Sequence, residues 1–161
     1  MSASAIYDAL VRSAMAHELE SAFMDATGLP VVLMPSRDPL LLFTFRGREN
    51  PFCSLMAQSA VSCIACQKAH MELQQQIVDN IAPQVTHCFA GLSEFAVPII
   101  VGGQHVATLL GGQIFQRKPT QAQFARLRKQ LRIWGMQHEL RRIEIAFFKT
   151  HVISRKQFQA S

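Results

Sequence analysis

All four cysteines of the chain fall between Cys53 and Cys88, in the spacing Cys53-x9-Cys63-x2-Cys66-x21-Cys88. On a helix Cys63 and Cys66 stand one turn apart, and His70 continues the same face. Cys53 approaches from a preceding helical segment and Cys88 from a later strand, with His87 turned to that strand's other face. Soft sulfur donors converging in this way suit zinc or an iron–sulfur cluster, which makes Cys53, Cys63, Cys66 and Cys88 the candidate metal ligands. The chain has a single C-x2-C, without the second pair that marks many zinc sites. The same thiols also fit as small apolar groups under a sheet or along a pocket, because free cysteine is among the most buried residue types. Both readings stand at this level. In a reducing cytoplasm a disulfide framework is not expected.

Other chemistries find little support. No G-x-S-x-G, H-E-x-x-H or paired-carboxylate arrangement occurs, and a Cys–His nucleophile would need His87 or His70 beside a thiol. No enzyme is expected. Gly102-Gly103 and Gly111-Gly112 lack the Lys-Ser/Thr of a P-loop. His17, His105, His138 and His151 have no carboxylate partners at useful spacing and read as surface or structural residues. Charge is uneven: residues 1–116 hold 5 Lys/Arg against 9 Asp/Glu, whereas residues 117–161 hold 11 against 2. A basic segment of this kind fits nucleic acid, an acidic surface or a solvated helical face. The helices expected over 121–134 and 138–150 spend their apolar faces symmetrically and offer no separate recognition face, which counts against direct duplex binding.

The elements that must position these groups alternate in period. Residues 4–27 read as one helix closed by Gly28, with Ile6, Leu10, Leu19 and Phe23 as a stripe for the body or a partner chain. Residues 30–34 and 40–45 read as strands around a Pro-flanked turn. Helices are expected over 52–59 and 62–81, with Ser62 as a cap, and Pro83 ends the second. Strands follow over 84–89, 95–101 and 105–115, the last two joined at Gly102-Gly103, a strong hairpin signal. Phe124, Leu127, Leu131 and Trp134 then return to helical spacing, as do Leu140, Ile143 and Phe147, and a last helix starts near Ser154. The expected architecture is α+β: a five-stranded antiparallel sheet of the PAS-like or GAF-like kind, with inserted cysteine-bearing helices and flanking terminal helices. With 161 residues, 49% hydrophobic and 17% charged, one globular domain is expected. It divides into an N-terminal helix (1–28), a sheet core (29–116) and a basic helical segment (117–161). No secretory leader and no stretch of roughly 20 apolar residues is present, so a soluble, cytoplasmic protein without a membrane partner is expected.

Five segments, in order, resemble the PocR-type sensory domains: Asn50-Pro51-Phe52-Cys53, Cys63-x2-Cys66, Thr86-His87-Cys88-Phe89-Ala90-Gly91-Leu92, Ala96-Val97-Pro98-Ile99 and Gly112-Gln113-Ile114-Phe115. The resemblance is clear over residues 22–115 and looser over the basic helices. Where the family commonly carries Cys-His-Ala-Gly-Leu, Phe89 replaces the histidine, so any contact made by that histidine falls at most to His87. The resemblance implies a variant PAS-like fold that binds small molecules such as short diols. It also implies a place ahead of AraC-type DNA-binding domains or in sensor kinases. Residues 147–158 look like the connection to such a C-terminal output domain, which is expected to lie outside this chain.

A metabolite pocket is expected between the cysteine-bearing helices and the sheet, lined by Phe52, Cys53, Cys66, Cys88, Phe89, Glu94 and Gln113. Glu94, next to a turn, reads either as a group that orients a hydroxyl or as a solvated charge. Gln113 reads either as a buried amide in need of partners or as an edge-strand amide facing water. Pairing through the terminal helices makes a homodimer the expected assembly.

Overall fold

A computed structural model of the protein describes residues 2–36 and 48–160. Residues 40–45, expected as a strand, lie outside the described residues. The sheet formed by the described residues has four antiparallel strands rather than five: β1 (Val31–Pro35), β2 (Gln84–His87), β3 (Ser93–Val101) and β4 (Gln104–Ile114), in the order β1-β4-β3-β2. Val101 pairs with Gln104 across Gly102-Gly103, whose φ values of 57° and 78° are those of the two-residue turn that matches strand twist.

The residues expected as one N-terminal helix form two, α1 (Ala3–Val11) and α2 (Ala14–Thr27). Ser13 makes the break. Its hydroxyl donates to Leu10 O at 2.6 Å and accepts from Ala16 N, so it ends one helix and caps the next. Ile6, Leu10 and Phe23 of the expected stripe pack on the body, whereas Leu19 is exposed. Next come α3 (Pro51–Ala57) and α4 (Ala60–Asn80). Asn50 caps α3 with Pro51 in its first turn, where a missing N–H costs nothing. Ser59, not Ser62, stands at the cap position of α4; the Ser62 hydroxyl instead donates back to Met56 O at 2.6 Å, tying the two helices together.

Alternation along β1 splits the core between two sheet faces. Val32 and Met34 join Ala96 and Leu110 against Leu73 and Ile77 of α4. Leu33 and Ala107 face Ala16 of α2, with Ile6, Tyr7 and Leu10 of α1 packed beside them. Beyond β4 lie α5 (Gln121–Ile133), a short 3-10 turn (Gln137–Glu139), α6 (Leu140–Lys149) and α7 (Arg155–Ala160). The expected stripes are buried here: Phe124, Leu127, Leu131, Ile143 and Phe147 meet Phe52 and Met56 of α3 in the largest core cluster. Phe147 is its hub, with ring contacts to Phe52, Phe115, Phe124 and Phe148. The chain after α6 is strapped to the end of the sheet, because Phe115 N donates to His151 O and Ile153 N donates to Phe115 O, each at 2.9 Å.

Candidate functional site

Near its start β3 slips register against β4. Ser93 pairs with Ile114 and Glu94 with Gly112, so Gln113 is the extra residue of a β-bulge. Gly112 has φ 124°, and a Cβ there would lie 2.5 Å from Ser93 O and 2.7 Å from Glu94 Cα. Only glycine fits. Two polar side chains turn into the body here: Glu94, on the face of β3 that carries Ala96 toward α4, is 4% exposed, and Gln113, at the bulge, is 1% exposed. The readings of Glu94 as a solvated charge and of Gln113 as a solvent-facing amide are both corrected by this burial.

Glu94 meets His70 of α4, which is 3% exposed, with Nε2···Oε2 at 2.6 Å. A carboxylate so far from water is tolerable only with a partner that donates to it, and the imidazole supplies one. His70 shares the helix face of the cysteine pair, as its spacing indicated, yet its acidic partner is 24 residues away and no local pattern reveals it.

Three thiols stand within electrostatic reach of Glu94. Burial pushes the Cys53 thiol well above the ordinary value, and Cys88, Glu94, Cys66 and Glu49 push the same way. Cys66 is raised to about 12, first by burial and then by Cys88, Glu94 and Cys63. Cys88 is raised to about 11 by burial and Glu94, against the backbone N–H groups of Ala90, Leu92 and Gly91, which would favour its thiolate. Cys88 and Phe89 are not in a strand as expected: β2 ends at His87, and Cys88 begins a turn in which Gly91 N donates to Cys88 O at 2.9 Å. Cys53, Cys66 and Cys88 all pack against the largest core cluster.

At neutral pH these are neutral thiols, poor nucleophiles and weak metal ligands until deprotonated. The thiolate, which attacks an alkylating reagent, is the form that burial disfavours. Native-state alkylation of Cys66 and Cys88 is therefore expected to keep rising about tenfold per pH unit from pH 8 to pH 10, whereas an ordinary thiol of pKa about 8.5 levels off there. Mass-spectrometric mapping of iodoacetamide adducts against pH checks this. The described residues contain no group of three or more His, Cys, Asp or Glu placed to hold one metal ion.

The structure thus gathers Cys53, Cys66, Cys88 and Glu94, adds His70, and sets Phe52 (1% exposed) behind them. Cys63 stays one turn from Cys66 on α4. Phe89 is placed differently, at the surface, with its ring edge-on to Trp134 at 5.1 Å. Gln113 belongs to another polar group: its Oε1 accepts from Asn50 N and its O accepts from Asn50 Nδ2, each at 2.8 Å, while Asn50 Nδ2 also donates to Thr150 Oγ1. Asn50 and Thr150 were not foreseen as site residues, although Asn50-Pro51 carries a visible helix-start signal. Two cavities formed by described residues lie elsewhere. One is an open groove of about 1030 Å³ bordered by Tyr7, Pro35, Val78, Ile81 and His105; the other is a pocket of about 240 Å³ bordered by Gln113. Among the described residues no helix is long and apolar enough to cross a membrane.

A family model described as "Sensory domain found in PocR" matches residues 10–161. The regulatory protein PocR of Salmonella typhimurium (strain LT2) is 29% identical to this chain over 116 residues, a match that covers 71% of this chain and 35% of that protein. The chain therefore matches only about a third of that relative's length. No solved structure matches. The family match spans the bulge, the thiol cluster and the basic helices alike, and on that ground this chain belongs to the family of sensory domains found in PocR.

Proposed function

We propose that the domain senses a small, uncharged, hydroxyl-bearing metabolite, taken up beside the His70–Glu94 pair between α4 and the sheet. The observation that carries this reading is the pair itself, a buried donor and acceptor ringed by neutral thiols and Phe52. A hydroxyl both donates and accepts, so one ligand group satisfies Glu94 and His70 together, while the thiols and the ring supply apolar walls. In this reading the thiols of Cys53, Cys66 and Cys88 are walls, not zinc or cluster ligands, and no bond-making chemistry is required of them.

A sensor must also bind its ligand more tightly in one output state than in the other. The strap between Phe115 and residues 151–153 links the bulge strand to α7, and it offers a route by which the site biases a following output domain, DNA-binding in this reading. Pairing of two copies through α2, where Met15 is 74% and Leu19 is 53% exposed, belongs to the same reading. Light scattering is expected to give twice 18.0 kDa for the native chain and 18.0 kDa for a Leu19→Glu variant. A native mass of 18.0 kDa at high concentration would remove the dimer.

Thermal unfolding tests the ligand proposal. At 10 mM, 1,2-diols of two to four carbons are expected to raise the native midpoint by a few degrees through mass action. They are expected to leave a Glu94→Gln variant unmoved. Equal shifts in both proteins, or none in either, would overturn the assignment.

A further inference from the structure

Gln113 carries two costs at once. It is a non-glycine residue at φ 57°, in the left-handed region, and its buried Nε2 has no hydrogen-bond partner among the described residues. The orientation of the amide is determined: the Asn50 N–H can only donate, so the atom facing it at 2.8 Å is Oε1, and Nε2 points the other way. Gln113 lies on the wall of the 240 Å³ pocket together with the buried Asn50 and Thr150. The rim carries Arg48, Lys149 and His151, all exposed, and one acidic residue, Glu49. Arg48 is held over the body by its Nη2, which donates to Ser21 Oγ at 3.0 Å, and the His151 ring is 3.2 Å from where a Cβ on Gly28 would lie.

An unpartnered, buried amide donor on a residue of the pocket wall, beneath a rim richer in cations than in anions, fits an acceptor that carries negative charge. We propose that this pocket is a second binding site, for a small carboxylate, with Gln113 Nε2 donating to one carboxylate oxygen and Arg48 and Lys149 neutralising the charge. The site goes beyond the hydroxyl site proposed above and shares none of its residues. It joins the bulge to the α6–α7 link, so its occupancy bears on the same strap that leads to the C-terminus.

The test uses acetate, with its neutral isostere acetamide as the control, titrated into the ¹⁵N-labelled full chain and followed at the Gln113 side-chain NH₂ signals. Acetate is expected to shift these signals saturably. Acetamide at the same concentrations is expected not to, and Arg48→Ala and Lys149→Ala are each expected to raise the acetate Kd about tenfold, the loss of one charge-assisted contact. Both substitutions are at exposed positions, so folding is retained. Four results would each overturn the proposal: Gln113 signals that stay still, equal response to acetamide, an unchanged Kd in both variants, or binding of inorganic phosphate with none of acetate.

Discussion

Replacing His70 by alanine is expected to lower the unfolding free energy by about 3–5 kcal/mol, because it leaves the Glu94 carboxylate buried without its donor. Domains of this kind are stable by roughly 5–15 kcal/mol in total, so the loss is a large share of the whole. Glu94→Ala is expected to cost a similar amount from the other side. The pair is not thereby a net source of stability: replacing both polar side chains in a His70→Met/Glu94→Met chain is expected to return most of the loss. Urea denaturation of the two single variants and the double variant closes the cycle and yields the coupling directly. Single variants within about 1 kcal/mol of the parent would mean that the two side chains are not paired in solution.

Gly112→Ala is the second large effect, and it acts on the backbone. An added methyl group would meet Ser93 O at 2.5 Å and Glu94 Cα at 2.7 Å, and main-chain atoms in a paired strand have no room to retreat. The φ of 124° is also closed to alanine. A loss of about 3 kcal/mol or more is expected, with ligand response lost as well, since the methyl group would displace the backbone of Glu94, the partner of His70. Gly103→Ala separates the two causes. That residue also has positive φ, 78°, but nothing lies within 4 Å of its Cβ position, so only the conformational cost of about 1 kcal/mol applies. Equal losses at the two glycines would show that the close approach at Gly112 is absent.

Much of the fold was legible because local chemistry decides it. Gly102-Gly103 adopt positive φ at no steric cost, and the spacing of Phe124, Leu127 and Leu131 matches a single buried face. The break at Ser13 was not legible, since one hydroxyl that serves both helices does not disturb the apolar period around it. The end of β2 at His87 was missed for a similar reason: Cys88 and Phe89 continue a strand-like composition, and the turn is set by Cys88 N donating to Leu92 O and Gly91 N donating to Cys88 O. The extent of the sheet beyond four strands rests on residues 40–45, outside those described.

The site was legible as residue types and less so as geometry. Cys63 and Cys66 stand one turn apart on α4 as their spacing indicated, whereas Cys88 reaches the neighbourhood of Cys53 and Cys66 from a turn after β2 and not from the expected strand. The inward turn of Glu94 was not legible, because β3 starts two residues before the expected strand and places Glu94 on the face of Ala96. That of Gln113 was not, because it is the extra residue of a bulge. Nor was the division of the expected lining into separate places, with Phe89 on Trp134 and Gln113 on Asn50. Such contacts depend on how α3 and α5 meet the end of the sheet, which is tertiary information.

The most direct measurement follows the His70 ring nitrogens by NMR while 1,2-propanediol is added to the ¹⁵N-labelled chain. The expected result is a saturable shift at His70 together with the amides of Cys53, Cys66 and Cys88, abolished in Glu94→Gln. Shifts confined to the open groove around Tyr7 and His105, with His70 unmoved, would contradict a receptor site at the buried pair.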